Sequence, residues 1–107
     1  MSGSSTAQVL RLIELVAYQP GAVVSHQISK SEAGNVTLFA FDSGQELSEH
    51  TAPFDALVHI LEGTAQVRIA AQPFELRAGD MILMPAGVPH SLSALSRFKM
   101  LLTMIRG

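Results

Sequence analysis

The sequence predicts an all-β domain folded as a small sandwich or closed barrel. Three observations carry this. Short segments rich in Val, Ile, Leu, Phe and Met recur from the middle of the chain onward. Gly, Pro, Asn and Asp separate them, and several alternate apolar with polar residues at period two. Closure of such strands removes the exposed edges that invite aggregation.

Taken in order, the segments read as follows. The start, Met1 to Ser5, is small and polar and reads as a flexible tail, leaving residues 6–107 as one domain. Val9, Leu12, Ile13 and Val16 fall at helical spacing, although Leu10, Leu12 and Glu14 equally fit the start of a strand. A short helical or strand segment is therefore expected there, ending before the Pro20-Gly21 turn. Val36 to Phe41 is rich in strand formers and lies between Gly34-Asn35 and Asp42-Ser43-Gly44. Leu57 to Leu61 is apolar apart from His59, and Ala65 to Ile69 alternates, with Val67 and Ile69 inward. Phe74 to Arg77 alternates again, and Ala70 to Pro73 is short enough for a hairpin connection. Met81 to Met84 reads as a buried run. In the last strand, Phe98, Met100, Leu102 and Met104 mark the inner face, while Lys99 and Thr103 mark the outer one.

Composition bounds the function. The chain has 107 residues, enough for one domain. Apolar residues make up 48% and charged residues 15%, against about 25% charged in ordinary soluble domains. That deficit, with Leu10 and Leu15 lying off the apolar face of the N-terminal segment and Leu57 and Leu61 flanking His59, predicts a homodimer. With a net charge of −2 and no basic run, there is no surface for nucleic acid. No cysteine is present, so disulfide and thiolate chemistry is excluded. Neither a signal peptide nor an apolar run of membrane-spanning length is visible, so a cytoplasmic protein with no membrane partner is expected.

Two stretches concentrate glycine, proline and histidine: Gly44 through His50 and Ala56 to Gly63, and Gly79 through Pro85 and Gly87 to His90. Together they resemble the two motifs of the cupin family. The second motif is Gly, five residues, Pro, one residue, Gly, two residues, His, and Gly79, Pro85, Gly87 and His90 match it throughout. The first is Gly, five residues, His, one residue, His, three or four residues, Glu, six residues, Gly. Gly44, His50 and Gly63 match it, whereas Ala52 stands at the second His and Ala56 at the Glu. The resemblance implies a small jelly-roll-like β-barrel with one internal pocket, in which His50 and His90 converge.

Metal-dependent cupins hold their ion with three His and one Glu. With alanine at two of those positions, the resemblance implies no metal and no other cofactor, His50 and His90 being only a partial pair. Asp55, beside the vacated Glu position, points the other way on a regular strand. The expected function is a small-molecule-binding cupin of unassigned specificity, its pocket lined by His50, His90, Ala52, Ala56 and Met100. The alternative is a metal-dependent dioxygenase or isomerase with a reduced ligand set. Whether any catalysis occurs stays open. Neutral imidazoles serve equally as ligand contacts or as acid–base groups near neutral pH. On the regular alternation, Ser48 and Ala52 share the cavity side with His50. His59 faces away from the pocket, His26 has no partner in sequence, and Met81, Met84, Met100 and Met104 fill core gaps or line an adaptable pocket. Ser48, Ser91 and Ser93 lack a nucleophile-elbow context, which leaves a hydrolase triad without support.

Overall fold

A computed structural model describes residues 7–106. The tail assigned to residues 1–5 lies outside the described residues. After a single 3₁₀ turn at Leu12–Glu14 come nine strands: β1 Val23–Ser31, β2 Gly34–Phe41, β3 Glu46–His50, β4 Asp55–Glu62, β5 Thr64–Ile69, β6 Gln72–Arg77, β7 Met81–Met84, β8 His90–Ala94 and β9 Phe98–Ile105. They form two antiparallel sheets, ordered β1-β2-β9-β4-β7 and β3-β8-β5-β6. The fold is thus the expected all-β jelly-roll-like one, but the barrel is not closed. β1, β7, β3 and β6 remain edge strands, and the edge positions accommodate a bulge in β1 and Pro73 in β6.

The core lies between the sheets. Phe41, Val58, Ile60, Phe98 and Met100 from the larger sheet meet Ala65, Val67, Leu76 and Leu92 from the smaller one. Phe41 and Phe98 stack with ring centroids 4.4 Å apart, a favourable aromatic geometry. The inward set Phe98, Met100, Leu102 and Met104 agrees with the alternation read from the sequence: the first two are fully buried and the others pack against the core.

Lys99 departs from that reading. Placed on the outer face, it was expected to be exposed, yet only 8% of it is. The N-terminal segment folds back over the outer face of β2 and β9, and Val16, Leu12, Leu15 and Tyr18 pack with Leu38, Ala40 and Leu101. Lys99 Nζ, trapped beneath, donates to Ile13 O at 2.6 Å, lies 3.9 Å from Glu62 Oε2 and sits 5.0 Å from the centre of the Tyr18 ring. These contacts replace the water that a buried ammonium loses. Leu15 is accordingly partly covered by its own chain, and of the large apolar residues in this segment Val9, Leu10 and Ile13 stay exposed. Met81 also departs, pointing outward at the sheet edge and standing 57% exposed.

The motif glycines divide into two kinds. A Cβ on Gly63 would lie 1.9 Å from Arg97 O and 2.7 Å from Phe98 Cα, so no side chain fits. Around Gly79 there is open space, and it is the φ of +93° that favours glycine. Of the two, steric obstruction operates at Gly63 alone.

Candidate functional site

A cavity of about 50 Å³ opens between the sheets. The larger sheet supplies Ala56, Met84, Met100, Leu102 and Met104, and the smaller supplies Leu47, His50, His90 and Leu92, with Ala52 from the β3–β4 connection. Since one water needs roughly 10–15 Å³, the space suits several waters or the body of a small molecule. The five residues singled out from the sequence, His50, Ala52, Ala56, His90 and Met100, all line it. Sequence reasoning had not singled out Leu47, Leu92 and Leu102.

The two histidines reach the cavity by different local devices. His50 pairs with His90 and Leu47 with Leu92, so β3 uses one more residue than β8 over the same span. This bulge breaks the alternation expected around His50. Leu47 and His50 face inward together, and Ser48, expected on the cavity side, is exposed instead. The consecutive polar residues Ser48-Glu49 between two inward ones were the available signal. His90 enters β8 from the Pro85–Pro89 turn, which is held on three sides. Ala86 N–H donates to Asp55 Oδ1 at 2.9 Å, Gly87 N–H to Ala52 O at 2.8 Å, and Ala70 N–H to Pro89 O at 2.9 Å. Asp55 thus points away from the cavity, as expected, and serves as a clamp on this turn.

The ring nitrogens are ordered to match. His50 Nδ1 lies 2.8 Å from Ser48 O, His90 Nδ1 lies 3.1 Å from Val88 O, and the two Nε2 atoms are 3.2 Å apart. The rings meet edge to face with centroids 4.4 Å apart. His90 is buried, and His50 is exposed at the cavity mouth. Burial, reinforced by the neighbouring His50 and opposed by the Val88 carbonyl, pushes the His90 imidazole below its usual range.

The cavity lining supplies only part of a four-ligand metal set. Two imidazoles fill half of a four-ligand set, and the rest of the lining is hydrocarbon and thioether. Among the described residues no three His, Cys, Asp or Glu side chains cluster at ligating distance, and the Asp55 carboxylate is engaged by Ala86. What the site does offer is an apolar chamber with two facing imidazole nitrogens. That suits binding, or proton exchange with a ligand. No helix among the described residues is long and apolar enough to cross a membrane.

Comparison with known proteins agrees with this architecture. The family model described as the cupin domain matches residues 37–105. No curated protein matches. Among solved structures, a conserved protein of unknown function from Streptococcus pyogenes superposes with a TM-score of 0.90 at 35% identity, over 96% of this chain and 90% of its own. A cupin superfamily protein from Desulfitobacterium hafniense gives 0.89 at 28% identity, over 96% and 94%. A cupin 2 conserved barrel domain protein from Leptotrichia buccalis gives 0.87 at 34% identity, over 90% of this chain and 47% of its own, so the present chain spans about half of that protein. With the family model covering most of the chain and both motifs converging on one cavity, the chain belongs to the cupin domain family.

Proposed function

We propose that this cupin is a metal-independent binding module for a small amphipathic molecule. The ligand's apolar body lies against Met84, Leu92, Met100 and Leu102, and its polar end meets His50 and His90. The observation that carries this reading is the meeting of two imidazole Nε2 atoms, 3.2 Å apart, at the mouth of an otherwise apolar cavity. Few, well-placed polar groups in an apolar lining are the ordinary composition of a small-molecule site. Ala52 and Ala56 contribute by leaving space where longer ligating side chains would stand. Thermal-shift screening against small metabolites tests the reading: a bound compound at 100 times its Kd raises stability by about 2.7 kcal/mol, and the gain disappears in His50→Ala. Stoichiometric Mn, Fe, Ni, Cu or Zn that survives dialysis of the purified protein overturns metal independence.

The proposal extends to a cytoplasmic homodimer. On the outer face of the larger sheet, Leu57 lies beside Leu83 and Thr103, and His59 beside Met81 and Leu101. Met81, Leu83 and Ile105 are each about half exposed. An apolar stripe of this kind is covered most economically by its own two-fold copy. Light scattering at micromolar concentration is expected to give a dimer mass, and Leu83→Lys a monomer. A monomer mass for the unaltered protein rejects the dimer and leaves the pocket reading standing.

A further inference from the structure

The hydrogen count at the histidine pair specifies its ligand more closely. Three short contacts surround the two rings: His50 Nδ1 to Ser48 O, His90 Nδ1 to Val88 O, and Nε2 to Nε2. Each needs one hydrogen, because a carbonyl oxygen only accepts and two bare ring nitrogens repel. Two neutral imidazoles carry two hydrogens between them. The pair is therefore one hydrogen short, whichever tautomers it adopts.

The carbonyls decide where the shortage falls. Leaving either Nδ1 bare would set its lone pair against an oxygen at 2.8 or 3.1 Å. With Nδ1–H on both rings, both Nε2 lone pairs converge at the cavity mouth instead, where an incoming group can reach them. No other cavity-lining residue can supply the missing hydrogen. Leu47, Leu92, Leu102 and the three methionines have no polar hydrogen, and among the described residues no Lys, Arg, Asp, Glu or Tyr side chain lines the cavity. Burial also disfavours a bound proton on the His90 imidazole.

We infer that the Nε2 atoms of His50 and His90 act as a paired acceptor for one hydrogen brought by the ligand, so that the pocket takes alcohols, phenols or un-ionised acids with a compact apolar body. This rests on the cavity being the ligand site. It reverses the simplest expectation for a histidine pair, which is a cationic cradle for anions. The ligand O–H donates to the two Nε2 atoms while both Nδ1–H groups keep their carbonyls, and all three positions around the rings are satisfied at once. An ether, ester or halide of the same shape leaves the two lone pairs opposed. Sites built around one such donor discriminate strongly against analogues lacking it.

Two measurements test this. Nitrogen-15 spectra of histidine-labelled protein at pH 8 are expected to show a pyrrole-like Nδ1 and a pyridine-like Nε2 in both rings; a hydrogen on either Nε2 overturns the inference. Titration with phenol and with fluorobenzene, its near-isostere without a donor, at the same pH is expected to give at least tenfold tighter binding of phenol, with both Nε2 resonances shifting. His50→Ala, altered at an exposed position, should fold and should narrow the preference, since only the His90 Nε2 is left to accept. At a pH low enough to protonate His90 the solvent supplies the missing hydrogen, so the preference for phenol should shrink on acidification. Equal affinity in the unaltered protein, or a preference that is undiminished in His50→Ala or grows on acidification, overturns the inference and leaves the pocket intact as a ligand site. Failure of both compounds to bind overturns the pocket reading and this inference with it.

Discussion

Replacing Ala70 by Asn and Ala71 by Gly should stabilise the protein. β5 and β6 pair up to Ile69 and Gln72, so Ala70 and Ala71 alone form the hairpin turn. Their φ angles are +50° and +69°, the only positive values on non-glycine residues among those described. Two positive φ angles in a two-residue hairpin define the turn type that favours Asn-Gly. An alanine in this region costs about 1–2 kcal/mol, which glycine avoids and asparagine partly avoids. Against this stands the extra chain entropy that glycine loses on folding, about 0.5–1 kcal/mol. The net gain is about 1 kcal/mol for Ala71→Gly and about 1.5 kcal/mol for the pair. At about 4–8 °C per kcal/mol for a domain near this size, the double variant should melt roughly 6–12 °C higher by circular dichroism. Ala78→Gly is the control. Ala78 lies in an exposed turn without a positive φ, so only the entropy cost applies, and the melting temperature should fall. A double variant that melts at or below the unaltered protein refutes the assignment of the turn.

Further expectations follow from the same geometry. Gly63→Ala should cost at least about 3 kcal/mol, because the new Cβ meets backbone at 1.9 Å; Gly87→Ala, strained only in φ, should cost about 1–2 kcal/mol, and urea titration ranks the two. Met100→Lys should fail to fold, since Met100 is fully buried and an ammonium there has no carboxylate partner in the cavity lining, while Met100→Leu folds; wild-type-like melting of the lysine variant refutes the register of β9. His90 imposes a pH dependence. Its folded imidazole protonates at lower pH than the unfolded one, so the unfolded chain binds more protons below about 6.5. Stability should therefore be fully present above that pH and decline as the pH falls towards the folded value. His90→Gln should flatten that part of the profile, and an unchanged slope tells against burial as the cause. Asp55→Ala should speed hydrogen exchange at Ala86 while lowering the unfolding free energy by no more than about 1 kcal/mol.

Much of the fold was legible because the central strands repeat one signal. Val36 to Phe41, Ala65 to Ile69 and Phe98 to Met104 alternate or run apolar between turn residues, and all became strands. β1 was missed for a physical reason. It is a bulged edge strand whose residues are mostly exposed, so burial imposes little hydrophobic pattern on it. Lys99 lies on the outer face as the alternation implies but is buried there, because alternation assigns a side to a residue and does not say what covers that side. The cover came from the N-terminal segment, whose helical spacing gave only one 3₁₀ turn. Its apolar residues are used against β2 and β9 in an otherwise irregular path. The motif histidines were legible through glycine and proline spacing, which fixes turns and hence where the next strand begins.

What the spacing did not contain is the setting of the rings. His50 turns inward because β3 is bulged, and each Nδ1 meets the carbonyl two residues earlier in its own chain. These carbonyls belong to Ser48 and Val88, whose side chains take no part, so no substitution pattern at those positions would reveal the contact. The consequence is nonetheless chemical. A backbone oxygen on each ring fixes its tautomer, the two fixed tautomers leave facing lone pairs, and the facing lone pairs select a ligand that donates. Alanine at positions 52 and 56 completes the effect, because neither residue brings a polar group to the pair. The same two histidines with their carbonyls turned away would each be free to carry hydrogen on Nε2, and the pocket would then accept either donors or acceptors. The selectivity inferred for this cupin thus resides in a bulge and a proline turn as much as in the imidazoles they aim.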